Sequence, residues 1–275
     1  MPTSRESRMT GLLGAKHRFV AAAGRLGRWA DSLRKSTLGV IYPPRCVCCD
    51  AGLDLLAAGP MLCEVCQGSL APAVWCGCRR CGGPVPEATP SPETCPHCRW
   101  ESFEFEAAVA LGTYGGKLRD AVLRMKRPGA EPMAQAMGGL LCHRRGDQIR
   151  ALCPKMVVPV PMHWMRRFVR KGNSPDVLAI QVARFLQTPC QTRLLKRIRN
   201  TKPQKELTPS ERRRNPAGAF GLSTAYHIRG ARVLLVDDVL TTGATCSAAA
   251  KALKQAGAAA VVVAVLARAV GDSDA

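Results

Sequence analysis

From residue 107 onward the chain alternates between two apolar patterns. Short runs without period-two alternation occur at 107–112, 156–160, 232–236 and 259–266. Such runs predict strands that are buried on both faces. Between them lie stretches of helical spacing. Leu118, Val122 and Met125 mark one face over 117–125, and a second helix is predicted from about Pro132 to Arg145. A third begins at Ser174 with Pro175 in its first turn, where proline is tolerated, and Val177, Leu178, Val182, Phe185 and Leu186 give it a buried side. A fourth covers 244–255. Strands alternating with helices predict an α/β fold in which helices cover both faces of a parallel sheet. Residues 193–218 interrupt the pattern and, being polar, basic and proline-punctuated, predict a long loop.

Before residue 100 neither period is sustained. Residues 46–100 are rich in Gly and Pro and poor in large apolar side chains, so a core of their own is not available. Cysteine takes its place. Cys46 and Cys49 form a C-x2-C pair, followed after thirteen residues by Cys63 and Cys66; Cys78 and Cys81 are followed after thirteen residues by Cys95 and Cys98. One unit is written twice. A C-x2-C turn aims two thiolates at one metal, and two turns complete the four-sulfur tetrahedron that zinc prefers. Each spacer predicts a short hairpin, so the segment reads as a double zinc ribbon holding two structural zinc ions, with an iron–sulfur cluster as the alternative. The spacing fits ligation within each repeat and interleaved ligation equally. Cys48 and Cys76 lie beside the pairs and could replace a neighbour, whereas Cys142, Cys153, Cys190 and Cys246 read as ordinary buried thiols. Metal binding would supply most of the folding free energy of such a segment.

Across 275 residues, 47% of them apolar, a sizeable core is available, and no apolar run reaches the roughly 20 residues that span a bilayer. The net charge of +20 changes the picture more. Residues 1–45 carry nine basic and two acidic side chains, 46–154 carry eleven of each, and 155–214 carry fifteen basic against three acidic. Two basic blocks suit a phosphate-rich partner. The first lacks the apolar core of a signal peptide, so a cytoplasmic protein is expected, with residues 1–45 a basic extension that could lie peripherally on the inner membrane as an amphipathic helix. In the second block Trp164 and Phe168 stand among arginines, a composition that suits single-stranded DNA.

The most informative segment is V-L-L-V-D-D-V-L-T-T-G-A-T at 233–245. A buried strand delivers Asp237 and Asp238 at its carboxyl end. A loop of Thr241, Thr242 and Gly243 follows, and Ala244 and Thr245 open a helix. Ligands of open α/β sheets bind at that end of the strands. Exposed N–H groups at a helix start attract an anion, and glycine lets the backbone approach it. Two adjacent carboxylates suit the diol of a ribose, directly or through Mg²⁺, so the segment reads as a ribose-5-phosphate site.

This segment resembles the phosphoribosyl diphosphate signature of type I phosphoribosyltransferases. The resemblance implies that Asp237 and Asp238 contact the ribose hydroxyls and serve catalysis, and that Thr241, Thr242, Gly243, Ala244 and Thr245 hold the 5-phosphate. A double zinc ribbon ahead of this domain is similar to the ComF family, whose members are associated with DNA uptake and natural transformation. Tyr42-Pro43-Pro44-Arg45-Cys46, the helix from Tyr114 to Lys126, Val158-Pro159-Val160-Pro161 followed by His163, Trp164, Arg166 and Arg167, and the series Thr201, Gln204, Leu207, Arg212, Asn215 and Phe220 all follow its pattern. The resemblance implies a basic extension at 1–45, a double zinc ribbon at 46–100 and a phosphoribosyltransferase-like domain at 101–275. It also implies Mg²⁺ with phosphoribosyl diphosphate, and Lys126, Arg166 and Arg167 facing the pyrophosphate. The same ribbons could instead dock on an uptake helicase or channel, in a module that binds DNA without turnover. No His or Glu stands out as a general base, so the sequence names no acceptor.

Overall fold

The structure is a computed structural model that describes residues 43–54, 59–86, 95–161, 174–199, 218–223 and 226–270. Its contacts divide the chain into two units, residues 1–45 with 52–57, and residues 46–51 with 58–275. In the first, the described residues are joined by an antiparallel bridge between Arg45 and Gly52 and by the Leu53 N–H donating to the Pro44 carbonyl at 2.8 Å. The sheet and all the cysteines belong to the second.

The apolar runs form a four-stranded, all-parallel sheet. Its strands are β1 (Ala107–Thr113), β2 (Met156–Pro159), β5 (Arg232–Leu240) and β6 (Ala260–Arg268), in the order β1-β6-β5-β2. Val233 to Val236 and Val261 to Leu266 are fully buried. Burial of each such Val or Leu contributes roughly 1.5–3 kcal/mol, which makes β5 and β6 the centre of the core. The pleat divides their side chains between two faces. Val233, Leu235, Val261, Val263 and Val265 share one core cluster with Ala249, Ala250 and Leu253 of α5 (Ala244–Gln255). The other face is covered by α3 (Glu131–Ala151) and α4 (Ser174–Leu186), which also pack on each other. Gly138 and Gly146 of α3 permit that approach, since a Cβ at Gly138 would lie 2.9 Å from Gln181 and one at Gly146 would run into the Phe185 ring. The parallel sheet with helices on both faces is the architecture that the apolar pattern predicts.

Three elements depart from the sequence reading. The helix predicted to end near Arg145 continues to Ala151, because nothing breaks it before Pro154. The strand predicted to end at Val236 runs to Leu240, so both acids lie within β5. The segment read as loop from 193 contains β3 (Leu195–Arg197), which pairs antiparallel with β4 (Phe220–Leu222) because Leu194, Leu195 and Phe220 are buried against the main core. The predicted loop residues 201–217 lie outside the described residues. The same is true of residues 1–42, including Tyr42, and of 162–173, which include His163, Trp164, Arg166, Arg167 and Phe168. Among the described residues no helix is long and apolar enough to cross a membrane.

Candidate functional site

The connections leave β2 and β5 in opposite directions. From β2 the chain passes through α4 to Cys190, which pairs parallel with Val157 on the outer side of β2. From β5 it passes through α5, on the other face, to β6. Open α/β sheets bind ligands in the crevice outside the carboxyl ends of the strands at such a switch point, here between β2 and β5. Asp237 and Asp238 stand at this crevice, beside Val160, whose N–H donates to the Val236 carbonyl at 2.9 Å.

Being consecutive in a strand, the two acids have different partners. Asp237 is held inward: one oxygen accepts from the Asp238 N–H at 2.9 Å and the other lies 3.9 Å from the Cys246 Sγ of α5. Burial first, and then the Asp238 carboxylate beside it, push the Asp237 carboxyl up to about 7, against the pull of the Asp238 N–H, Lys126 and Arg197. Asp238 instead meets the Lys126 ammonium at 2.8 Å. Lys126 follows directly on α2 (Gly116–Met125), so that helix carries a cation to the mouth of the crevice.

Beyond β5 the chain turns at Gly243, whose φ of +75° is a left-handed conformation that favours glycine. The turn starts α5, and the Ala244 N–H reaches the Thr242 Oγ1 at 3.4 Å while the Ser247 N–H donates to the Gly243 carbonyl at 2.8 Å. Thr241, Thr242, Gly243, Ala244 and Thr245 thus form a strand-to-helix turn that opens a helix start directly after the strand of the two carboxylates. Such a start attracts an anion. Arg268 at the end of β6 fixes the turn from beneath. Only 4% exposed, it donates to the carbonyls of Leu240 (3.0 Å), Thr241 and Ala269 (2.6 Å). Sequence reasoning missed Arg268, although a single cation closing an otherwise apolar strand is a signal. It also missed Phe103, whose ring lies against Gly243 from 140 positions away.

The eight paired cysteines assemble as two groups, each from one repeat: Cys46, Cys49, Cys63 and Cys66, and Cys78, Cys81, Cys95 and Cys98. The sulfurs are thus grouped within each repeat and not interleaved between repeats. In each group the sulfurs lie within 4.8 Å of one another. Zn–S bonds of about 2.3 Å in a tetrahedron put sulfurs about 3.8 Å apart. The separations fit: 3.6 Å for Cys49–Cys63, 3.5 Å for Cys81–Cys95, and 3.8 Å for both Cys78–Cys98 and Cys95–Cys98. All the described cysteines are free of disulfides, and Cys48 and Cys76 fall outside both groups. The spacer between Cys49 and Cys63 is followed by a helix, α1 (Glu64–Leu70), which carries Cys66 of the second pair. Of the four isolated cysteines, Cys142 and Cys246 are buried as expected, whereas Cys153 is exposed and Cys190 half-buried.

Thiol chemistry also asks for a cation. Burial works against ionisation of Cys46, yet the N–H groups of Cys63, Cys49 and Cys48 hold its thiol down at about 6. In the second group burial again opposes ionisation, and the Gly83 N–H with Arg268 lowers Cys81, while burial and the charge on Cys81 and Cys78 raise Cys98 to about 11. Each group can thus carry one thiolate easily and further ones only beside a positive ion.

Comparison with known proteins agrees with this geometry. Residues 37–99 match the model of the double zinc ribbon domain, and residues 177–273 that of the phosphoribosyl transferase domain. The chain is 30% identical over 231 residues to Competence protein F of Haemophilus influenzae, covering 82% of this chain and 97% of that protein. It is 32% identical over 228 residues to the DNA utilization protein YhgH of Escherichia coli, covering 76% of this chain and 97% of the relative. Among solved structures, purine phosphoribosyltransferase from Pyrococcus horikoshii is similar over 48% of this chain and 73% of that one, at 17% identity and a TM-score of 0.32. The double zinc ribbon match and the two four-cysteine groups support zinc in the ribbon, and the relatives fix the family: the chain belongs to the ComF family, that of Competence protein F and YhgH.

Proposed function

We propose that the crevice at the carboxyl end of β5 binds phosphoribosyl diphosphate with Mg²⁺. The observation that carries this reading is the placement of Asp237 and Asp238 at the switch between β2 and β5, one turn before a left-handed glycine and a helix start. The turn at 241–245 holds the 5-phosphate through its N–H groups and threonine hydroxyls. Asp238 faces the ribose diol, and Asp237 stands behind it. Mg²⁺ bound with the diphosphate supplies positive charge that the two acids would accept. Lys126 then exchanges Asp238 for the diphosphate, joined there by Arg166 and Arg167 from outside the described residues. In the pentosyl transfer that such a site supports, pyrophosphate leaves C1 with the bonding pair as the acceptor closes on the same carbon. Cations around the leaving group stabilise its charge, and fixed ribose contacts hold C1 in line.

Around this site the proposal places a basic extension at 1–45, two structural zinc ions in a double ribbon at 46–100, and a phosphoribosyltransferase-like domain at 101–275. The names of the relatives and the two basic blocks support a role in DNA uptake or utilisation; its proposed location is the cytoplasm or the inner face of the membrane, and its proposed partners are single-stranded DNA and an uptake helicase or channel. The alternative, a module that binds DNA without turnover, is favoured by the same basic blocks. Thermal unfolding tests the first reading. Mg²⁺ with phosphoribosyl diphosphate raises the Tm of the intact protein and not that of Asp238→Asn, and pyrophosphate release with single-stranded DNA or free bases as acceptor reports turnover. An unmoved Tm with salt-sensitive DNA binding would put the alternative first.

A further inference from the structure

The second cysteine group and the 241–245 turn share one side chain. Phe103 is partly buried against Cys78, Cys81, Cys95 and Cys98, and it also packs on the core cluster that contains α5. Its ring lies so close to Gly243 that a Cβ there would sit 2.6 Å from the Phe103 Cε1. Gly243 therefore answers two demands, a left-handed backbone and contact with an aromatic face. The ring is itself held. It stacks on Phe105 with centroids 4.6 Å apart, and the Arg80 guanidinium covers it at 5.6 Å. Arg80 lies between Cys78 and Cys81 and donates to the carbonyls of Cys98 (3.3 Å) and Glu101 (2.6 Å), so the knuckle and the 101–104 segment are tied by one cation. A second link runs beside it: the Glu104 N–H donates to the Ser247 Oγ in the first turn of α5 at 2.8 Å. The path from Cys98 to Phe103 is five residues long, and it ends on the atoms that would cradle a phosphate.

We infer that Phe103 is a positioning residue for the 241–245 turn, and that through it the filled second cysteine group sets the turn in its anion-binding form. Metal loss from that group frees the 95–98 knuckle, Arg80 loses its fixed carbonyls, and the ring that backs Gly243 loses its support. Coupling of this kind is reciprocal. A ligand on the turn must therefore slow metal release from the second group and leave release from the first group unchanged. The ligand half rests on the reading of 241–245 as a phosphoribosyl site; the structural half does not.

The test uses the full chain with both groups zinc-loaded, with zinc counted by native mass spectrometry. Hydrogen exchange of the 241–247 amides is read without ligand in the intact protein, in Phe103→Ala, in Phe103→Tyr, and in Cys49→Ser, which empties the first group only. Phe103→Ala is expected to retain two zinc ions and unchanged exchange in β6, while exchange of 241–247 rises by about tenfold. Phe103→Tyr restores protection, and Cys49→Ser leaves it intact. A Phe103→Ala protein with unaltered exchange at 241–247, or a Cys49→Ser protein with equal loss of protection, would overturn the inference. In a second arm, chelator-driven zinc release from the second group is timed with and without Mg²⁺ and phosphoribosyl diphosphate. Slowing in the intact protein and none in Phe103→Ala supports the coupling; equal slowing in both contradicts it. If the intact protein binds no phosphoribosyl diphosphate, the proposed ligand fails, and the exchange arm still decides the role of Phe103.

Discussion

The two cysteine groups have one spacing and two environments. Cys78, Cys81, Cys95 and Cys98 are each 4% exposed or less, packed by Val85 and Phe103, whereas Cys49 is exposed and Cys63 and Cys66 are half-buried. The difference comes from what each repeat is attached to. The second group is followed directly by 101–106, which runs into β1, stacks Phe103 on Phe105 and is hydrogen-bonded to α5 through the Glu104 N–H. The first ends in α1 and touches the sheet domain through α2, where Arg124 donates to the carbonyls of Val47 (3.1 Å) and Cys48 (3.2 Å). Identical ligand sets thus make an internal strut in one case and a surface knuckle in the other. What surrounds a metal site governs solvent access and exchange as much as its ligands do.

The largest effect that would sharpen this contrast is on metal exchange. Two zinc ions per chain should leave in two phases under chelation, the first group emptying on the order of tenfold faster than the second. A Cys49→Ser protein should lose the fast phase only. A single phase would break the comparison. Next comes Arg268→Met, which removes the donor to three carbonyls beside the second group and should lower stability by about 3 kcal/mol in denaturant unfolding. It should speed zinc release from the second group and leave the first as it is.

The Asp237 carboxyl gives a pH signature. Its pKa is raised from 3.8 to about 7 by burial first and by Asp238 second, so the folded state favours the protonated form. That contribution to stability is present below about pH 4 and is lost as pH rises through about 7. The stability difference between Asp237→Asn and the intact protein should therefore grow in favour of the variant from pH 4 to pH 7, whereas acid loss of zinc, common to both, cancels. A difference independent of pH would mean that Asp237 is ionised throughout. The smallest effect is expected from Arg124→Ala, whose hydrogen bonds to the first knuckle are solvent-exposed, at about 0.5 kcal/mol or less, with faster metal release from the first group alone.

The parts of this picture that are local were legible in the sequence. The bounds of α5 and the positions of the four strands of the parallel sheet follow from the apolar pattern, because short apolar runs between helical stretches have one stable use as buried strands. The two cysteine groups follow from spacing. Contacts made over long separations were not legible. Phe103 reaches Gly243 across 140 positions, and nothing near residue 103 announces it. Burial of Leu194 and Leu195 against β4 was hidden in a segment whose charge argues for loop. The different partners of Asp237 and Asp238 follow from β5 extending to Leu240: valine at 239 and leucine at 240 keep the strand going past the acids, and the pleat then separates neighbouring side chains. The adjacent acids had suggested one shared role, but in the structure one carboxylate accepts from its neighbour's N–H beside the Cys246 thiol and the other meets a cation.

Calorimetric titration of the zinc-loaded protein with phosphoribosyl diphosphate and Mg²⁺, beside the double variant Asp237→Asn/Asp238→Asn, tests the central claim most directly. One binding event per chain is expected, requiring Mg²⁺ and abolished in the variant. Binding that survives in the variant, or no heat from the intact protein at ligand concentrations around 1 mM, where even weak specific sites are filled, would contradict it.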